Sequence, residues 1–268
     1  MIKISFMTFA CPDYSFDQVV DLAVRHSYQG IEFRTDSGHA HGVEVSADAA
    51  TRVQMRHKMA DAGIEACCLA TSLQFVNEQA VEQAPALIDL AAELLIPGLR
   101  VFCGPLPEGV SLKDAIKRAA ANIAKVADRA QAAGVQLWLE THDSVSLAVD
   151  AGQIVRLADH PAVAINWDNM HPYRNGESLE TTWEAISPYI QHTHFHDSVN
   201  EPGAPIITPF GQGGLPVQKM FDLLQSVHYI GYYSGEWFGE QMGADADTSL
   251  AAHRDGLLAL EAAYHNKQ

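Results

Sequence analysis

The strongest constraint on this chain is its alternation. Short apolar runs at residues 3–9 (KISFMTF), 30–34 (GIEFR), 64–70 (IEACCLA), 99–103 (LRVFC), 135–141 (VQLWLET), 163–167 (VAINW), 190–195 and 229–236 (YIGYYSGE) have the length and β-branched or aromatic content of strands. Amphipathic runs at 16–26, 47–62, 78–95, 112–133, 147–158, 179–186, 217–227 and 249–264 follow them in turn and read as helices. Ser111 is placed to cap the fourth helix, and Gly63 and Gly134 are placed to end the second and fourth. Eight such strand–helix units in 268 residues predict one closed parallel (β/α)8 barrel, an α/β TIM barrel spanning 1–268 as a single domain. An open doubly wound sheet would place a glycine-rich turn after the first strand, and Thr8-Phe9-Ala10-Cys11-Pro12 offers none. The tail 265–268 is polar and expected to fray.

Apolar residues make up 47% of the chain, enough for a large core, and no compositional break divides it. The formal net charge of −16 disfavours phosphate backbones and anionic membranes, so neither nucleic acid nor a membrane is expected as a partner. A small polar ligand stays compatible, because one local cation reverses the sign inside a pocket. The stretch MIKISFMTFACPDYSF has no charged region followed by a long apolar core, and no run reaches the length of a membrane span. Cys11, Cys67, Cys68 and Cys103 lack CxxC spacing and are expected as free, packed thiols in a reducing, cytoplasmic setting.

The chemistry collects at strand ends, where barrels of this type carry their sites. Strand seven runs into His192-Thr193-His194-Phe195-His196-Asp197, and an extended chain puts the three histidines on one face. Strand five ends at Glu140, strand six at Asp168 and strand eight at Glu236. Four consecutive strands thus deliver Glu, Asp, His and Glu to one rim. Three carboxylates brought together repel one another unless a cation joins them. Three oxygen donors and one imidazole suit one divalent ion, Mn²⁺ or Mg²⁺ first, with Co²⁺ or Zn²⁺ admissible. Arg34 and His41 are candidates for contacts to substrate hydroxyls or a carboxylate; the alternative for Arg34 is an ion pair with a nearby acid. His142 is a candidate support for Glu140. Trp237, beside Glu236, is a candidate sugar platform, Phe6 and Phe9 are candidate pocket walls with core packing the default for both, and the glycine- and proline-rich stretch 202–215 is a candidate flap.

Along most of its length the chain resembles the xylose isomerase-like barrel superfamily, in the branch of sugar phosphate isomerases and epimerases that includes ketose 3-epimerases and inosose dehydratases. The resemblance rests on LETHD at 139–143, WDNMHP at 167–172, HTHFHD at 192–197, FGQGGLP at 210–216 and GEW at 235–237. It implies that Glu140, Asp168, His194 and Glu236 are the metal ligands and that His171 contacts substrate. His196, also assigned to substrate contact, departs from the lysine that many relatives carry before the aspartate of this motif, which removes a fixed cation suited to a phosphate. The implied activity is isomerisation or epimerisation of a ketose or keto-sugar through a metal-stabilised enediolate, with Glu140 and Glu236 moving the proton; barrels of this kind often form homo-oligomers. The nearest alternative is a lyase or dehydratase using the same site. A DNA repair endonuclease needs more metal ligands than strands two and three supply. A non-catalytic sugar-binding barrel is the remaining alternative.

Overall fold

A computed structural model describes residues 1–199, 205–238, 242 and 245–267. Eight parallel strands close into a barrel: β1 (Lys3–Met7), β2 (Gly30–Arg34), β3 (Glu65–Gln74), β4 (Gly98–Phe102), β5 (Gln136–Glu140), β6 (Val163–Asp168), β7 (Ile190–His194) and β10 (Tyr232–Gly235), with β1 pairing to both β2 and β10. Helices α1 (Phe16–Arg25), α2 (Ala49–Ala62), α3 (Gln79–Glu93), α4 (Leu112–Ala132), α5 (Ala148–Ala158), α7 (Leu179–Ile186), α8 (Val217–Ser226) and α9 (Ala246–His265) alternate with them, as the sequence predicts. Helix starts follow side-chain chemistry: Asp48, Ser111, Ser178 and Asp245 each accept a backbone N–H of the first turn, and Ser15 forms a reciprocal capping box with Gln18.

Three departures from the sequence reading bear on the site. A short extra helix, α6 (Met170–Arg174), follows β6 directly. β3 runs on to Gln74 with an irregular register after Ala70, carrying its end up to the rim. The 202–215 stretch contains one short strand, β9 (Ile206–Thr208), which pairs antiparallel with β8 (Asp197–Val199), while 209–215 are turns and bends. Residues 202–204 of that stretch lie outside the described residues.

Side chains alternate across each strand. Ile31, Phe33, Leu69, Leu99, Val101, Leu137, Leu139, Ile165 and Trp167 are fully buried in the apolar core that includes the helix-facing side. The inward set is polar: Ser5, Glu32, Arg100, Asn166, His192, His194 and Ser234 are buried. Below them Cys67, Cys68, Trp138, Ala164 and Tyr232 form a separate apolar cluster. Gly98 makes room for it, since a Cβ there would lie 2.3 Å from the Trp138 indole. All four cysteines are buried and unpaired, as expected.

Candidate metal centre

The ends of β5, β6, β7 and β10 bring Glu140, Asp168, His194 and Glu236 together, each with a ligand atom within 4.8 Å of the others. His194 is the hub. Its Nδ1 lies 3.1 Å from Glu140 Oε1 and 2.9 Å from Glu236 Oε2, and its Nε2 lies 3.0 Å from Glu32 Oε1. Burial opposes charge on this imidazole, but Glu236, Glu32 and Glu140 outweigh it and raise its pKa well above the ordinary value. Burial likewise opposes the charge on Glu140, and His194 and Arg100 override it, holding the carboxyl far below its usual range. Asp168 is fixed through Oδ1, which accepts the backbone N–H groups of Met170 at 2.8 Å and His171 at 3.3 Å. The extra helix α6 thus begins on the Asp168 carboxylate, the favourable end for an anion.

Glu32 is a site residue that the strand-end reading missed. It sits in the middle of β2, fully buried, and accepts from His192 Nε2 at 2.9 Å, His194 Nε2 at 3.0 Å and Ser234 Oγ at 2.8 Å. Burial disfavours its charge, yet the two imidazoles hold it well below the ordinary carboxylate range. With the Glu32 carboxylate on Nε2, Nδ1 is the nitrogen that faces Glu140 and Glu236 and would serve an ion held there. The signal was available: an acid between Ile31 and Phe33 inside an apolar strand needs a buried partner. Arg100 of β4 was also missed. It is 2% exposed, lies 3.3 Å from Glu140 Oε2 through Nε, and stacks over the Phe102 ring at 4.2 Å.

A cavity of about 430 Å³ opens beside the cluster, lined by both charged groups and rings, among them Phe9, Phe102, Ile207 and Phe238. His171 lines it, with Nε2 3.7 Å from Asp168 Oδ2. His196 lines it too, with neither ring nitrogen hydrogen-bonded, and burial pushes its pKa down. His142 also faces the cavity, 4.5 Å from the His171 ring. Although partly buried, it is raised to about 9 by its bond to Asp143 and by the charge of Glu140. Arg34 lines the wall without a carboxylate ion pair among the described residues; it donates to Thr35 O, Ser72 Oγ and, at 3.1 Å, Ala70 O. Trp237 contributes to the wall, but its indole N–H is committed to Ser249 Oγ at 3.1 Å. His41 corrects the sequence reading: both its nitrogens are engaged, at Thr8 Oγ1 and the Val43 N–H, so it supports the fold rather than a ligand.

Asp197, the last residue of the histidine motif, holds the loop instead of joining the cluster. Its carboxylate accepts backbone N–H groups of Ser198, Gly211, Gly213 and Leu215 at 2.9, 2.9, 3.0 and 3.2 Å. A Cβ on Gly213 would fall 2.2 Å from Asp197 Oδ1, so FGQGGLP is a cradle for this one side chain.

The donors present fit a divalent cation. Glu140 Oε2 and Asp168 Oδ2 are buried without a hydrogen-bond partner, and three carboxylates converge on one orientated imidazole. A closed (β/α)8 barrel with its acidic cluster at the carboxyl ends of the strands defines the class. The chain belongs to the xylose isomerase-like TIM barrel family, whose model matches residues 20–262. No curated protein matches it by sequence. Among solved structures it is similar to the probable 3-DHS dehydratase AsbF of Bacillus anthracis, with a TM-score of 0.79 and 20% identity over 96% of this chain and 99% of that one. The IOLI protein with a bound zinc atom superposes with a TM-score of 0.85 at 16% identity, covering 98% and 99%. An L-ribulose 3-epimerase gives 0.80 at 17%, covering 100% and 97%. At these identities the likeness is one of fold.

Proposed function

We propose that this protein is a divalent-metal-dependent isomerase or epimerase that moves a proton on a ketose or keto-sugar through an enediolate. The observation that carries the reading is the convergence of Glu140 and Glu236, from strands three apart around the barrel, on His194 Nδ1 at 3.1 and 2.9 Å. Glu140, Asp168, His194 and Glu236 would hold the ion, Mn²⁺ or Mg²⁺ first, which when bound supplies polarisation of a carbonyl and a neighbouring hydroxyl. One glutamate takes the α-proton and the other returns a proton to the opposite face. The rings of Phe9, Phe102 and Phe238 line this corner, and His171 and His196 offer contacts to hydroxyls.

The test is exchange of solvent deuterium into recovered ketose by the Mn²⁺-loaded protein. Glu236→Gln should slow exchange by about 10²- to 10⁴-fold, the usual worth of a positioned acid–base group. Exchange that persists at the wild-type rate would remove the reading.

A second reading, elimination, draws on His142. This imidazole faces the cavity with Nδ1 2.8 Å from Asp143 Oδ1, a partnered position from which a proton can be handed to a departing β-hydroxyl. Loss of water with growth of an enone absorbance, in place of deuterated ketose, identifies that outcome.

A further inference from the structure

Two guanidinium groups share one side of the cavity, and the chain gives neither a full set of partners. Arg100 is 2% exposed, its Nε is buried without a hydrogen bond, and among the described residues Glu140 is its sole ion-pair partner. Arg34 spends its terminal nitrogens on Thr35, Ala70 and Ser72, while its Nε is also buried without a partner. The register Arg34↔Ala70↔Arg100 sets the two in one row, two strands apart, on the same inward face. Neighbouring strands lie about 4.8 Å apart, so long side chains from this row can close on one group between them. Burial and the charge of Arg100 together lower Arg34 to about 10, which places the two cations within each other's field. Buried cations are costly unless paired.

Glu140, the one carboxylate ion-paired to either guanidinium among the described residues, already belongs to the acidic cluster. A divalent ion held there would draw on Glu140 and leave both guanidiniums short of an acceptor. A ligand carboxylate supplies that acceptor. We propose that the natural ligand is a keto-sugar acid whose carboxylate is held between Arg34 and Arg100. Arginine suits this task because its planar donor fork matches a carboxylate. The inference rests on the metal-site reading above and names the substrate class for it.

Three probes that differ only at C6 test it: D-fructose, D-fructuronate and D-fructose 6-phosphate, titrated calorimetrically into the Mn²⁺-loaded protein. Fructuronate should bind at least about tenfold more tightly than fructose, the scale of a charged hydrogen bond, and no more weakly than the phosphate. Arg34→Met should shrink that gap at least threefold; Arg100→Met should do the same. Because Arg100 is buried and its variant can fail to fold, Arg34→Met decides the matter alone. Equal affinity for fructuronate and fructose, no fructuronate binding, a preference for the phosphate, or a gap that survives Arg34→Met would each overturn the proposal. None of these results touches deuterium exchange, so the failure of one reading is distinguishable from the failure of the other.

Discussion

The two halves of the barrel mouth are built from different chemistry. The arc through β5, β6, β7 and β10 presents Glu140, Asp168, His194 and Glu236, four ionisable groups drawn to one point. The arc from β1 to β4 presents Phe9, Arg34, Arg100 and Phe102, rings and guanidiniums along a wall. The first arc determines which bond can be worked on, since it concentrates proton acceptors and ion donors. The second determines which molecule is offered, since it carries the shape and the compensating charge.

The largest effect that would sharpen this contrast comes from below the first arc. Glu32→Ala removes the acceptor on His194 Nε2 and frees the ring to change tautomer. Mn²⁺ affinity should fall about 10- to 100-fold, the usual range for a lost partner of a ligating histidine, in a competition titration against a chelator. Glu32→Gln keeps an acceptor oxygen and should recover most of the loss. Unchanged affinity in Glu32→Ala would show that the arc holds its ion without this support.

Phe9→Ala tests the second arc. Phe9 packs on Phe238 with ring centroids 4.2 Å apart and lies 5.8 Å from the Arg34 guanidinium. Ligand affinity should drop about tenfold, the worth of an aromatic contact, with Mn²⁺ affinity unmoved. A matching fall in both affinities would break the division between the arcs.

Much of this was legible in the sequence, for a physical reason. Glu140, Asp168 and Glu236 end strands, and a barrel's strand ends converge by geometry alone, so counting eight strands located the cluster. His194 was legible because a period of two aligned it with His192 and His196. Glu32 and Arg100 were not found, because each lies inside a short apolar strand and its partners come from β5, β7 and β10. Only closure of the ring brings those strands together. The role of Asp197 was hidden similarly, since its four acceptor bonds reach as far as Leu215. Within the candidate flap stretch, β9 was not legible because Ile206 and Ile207 take their partners, Val199 and Ser198, from outside it.

The smallest effect contrasts two fully buried histidines. His194, ringed by carboxylates, is raised, whereas His253, bonded to the Tyr28 hydroxyl at 2.9 Å and Phe195 O at 3.0 Å, is pushed by burial to about 3. An unfolded histidine titrates near 6.5. Below that pH the unfolded chain binds a proton that folded His253 refuses, so its contribution is complete above about 6.5 and is lost as pH falls toward 3. The loss runs at about 1.4 kcal/mol per pH unit. His253→Gln should flatten the fall in urea-unfolding stability between pH 6 and 4 by about that slope; parallel curves would contradict it.

The most direct test of the account is ion stoichiometry. The metal-stripped protein should take up one Mn²⁺ per chain by calorimetry, and the double variant Asp168→Asn/His194→Gln should take up none at the same concentration. Failure of the wild type to bind any divalent ion, or an ion that stays in the double variant, would show that these four side chains do not form a metal site.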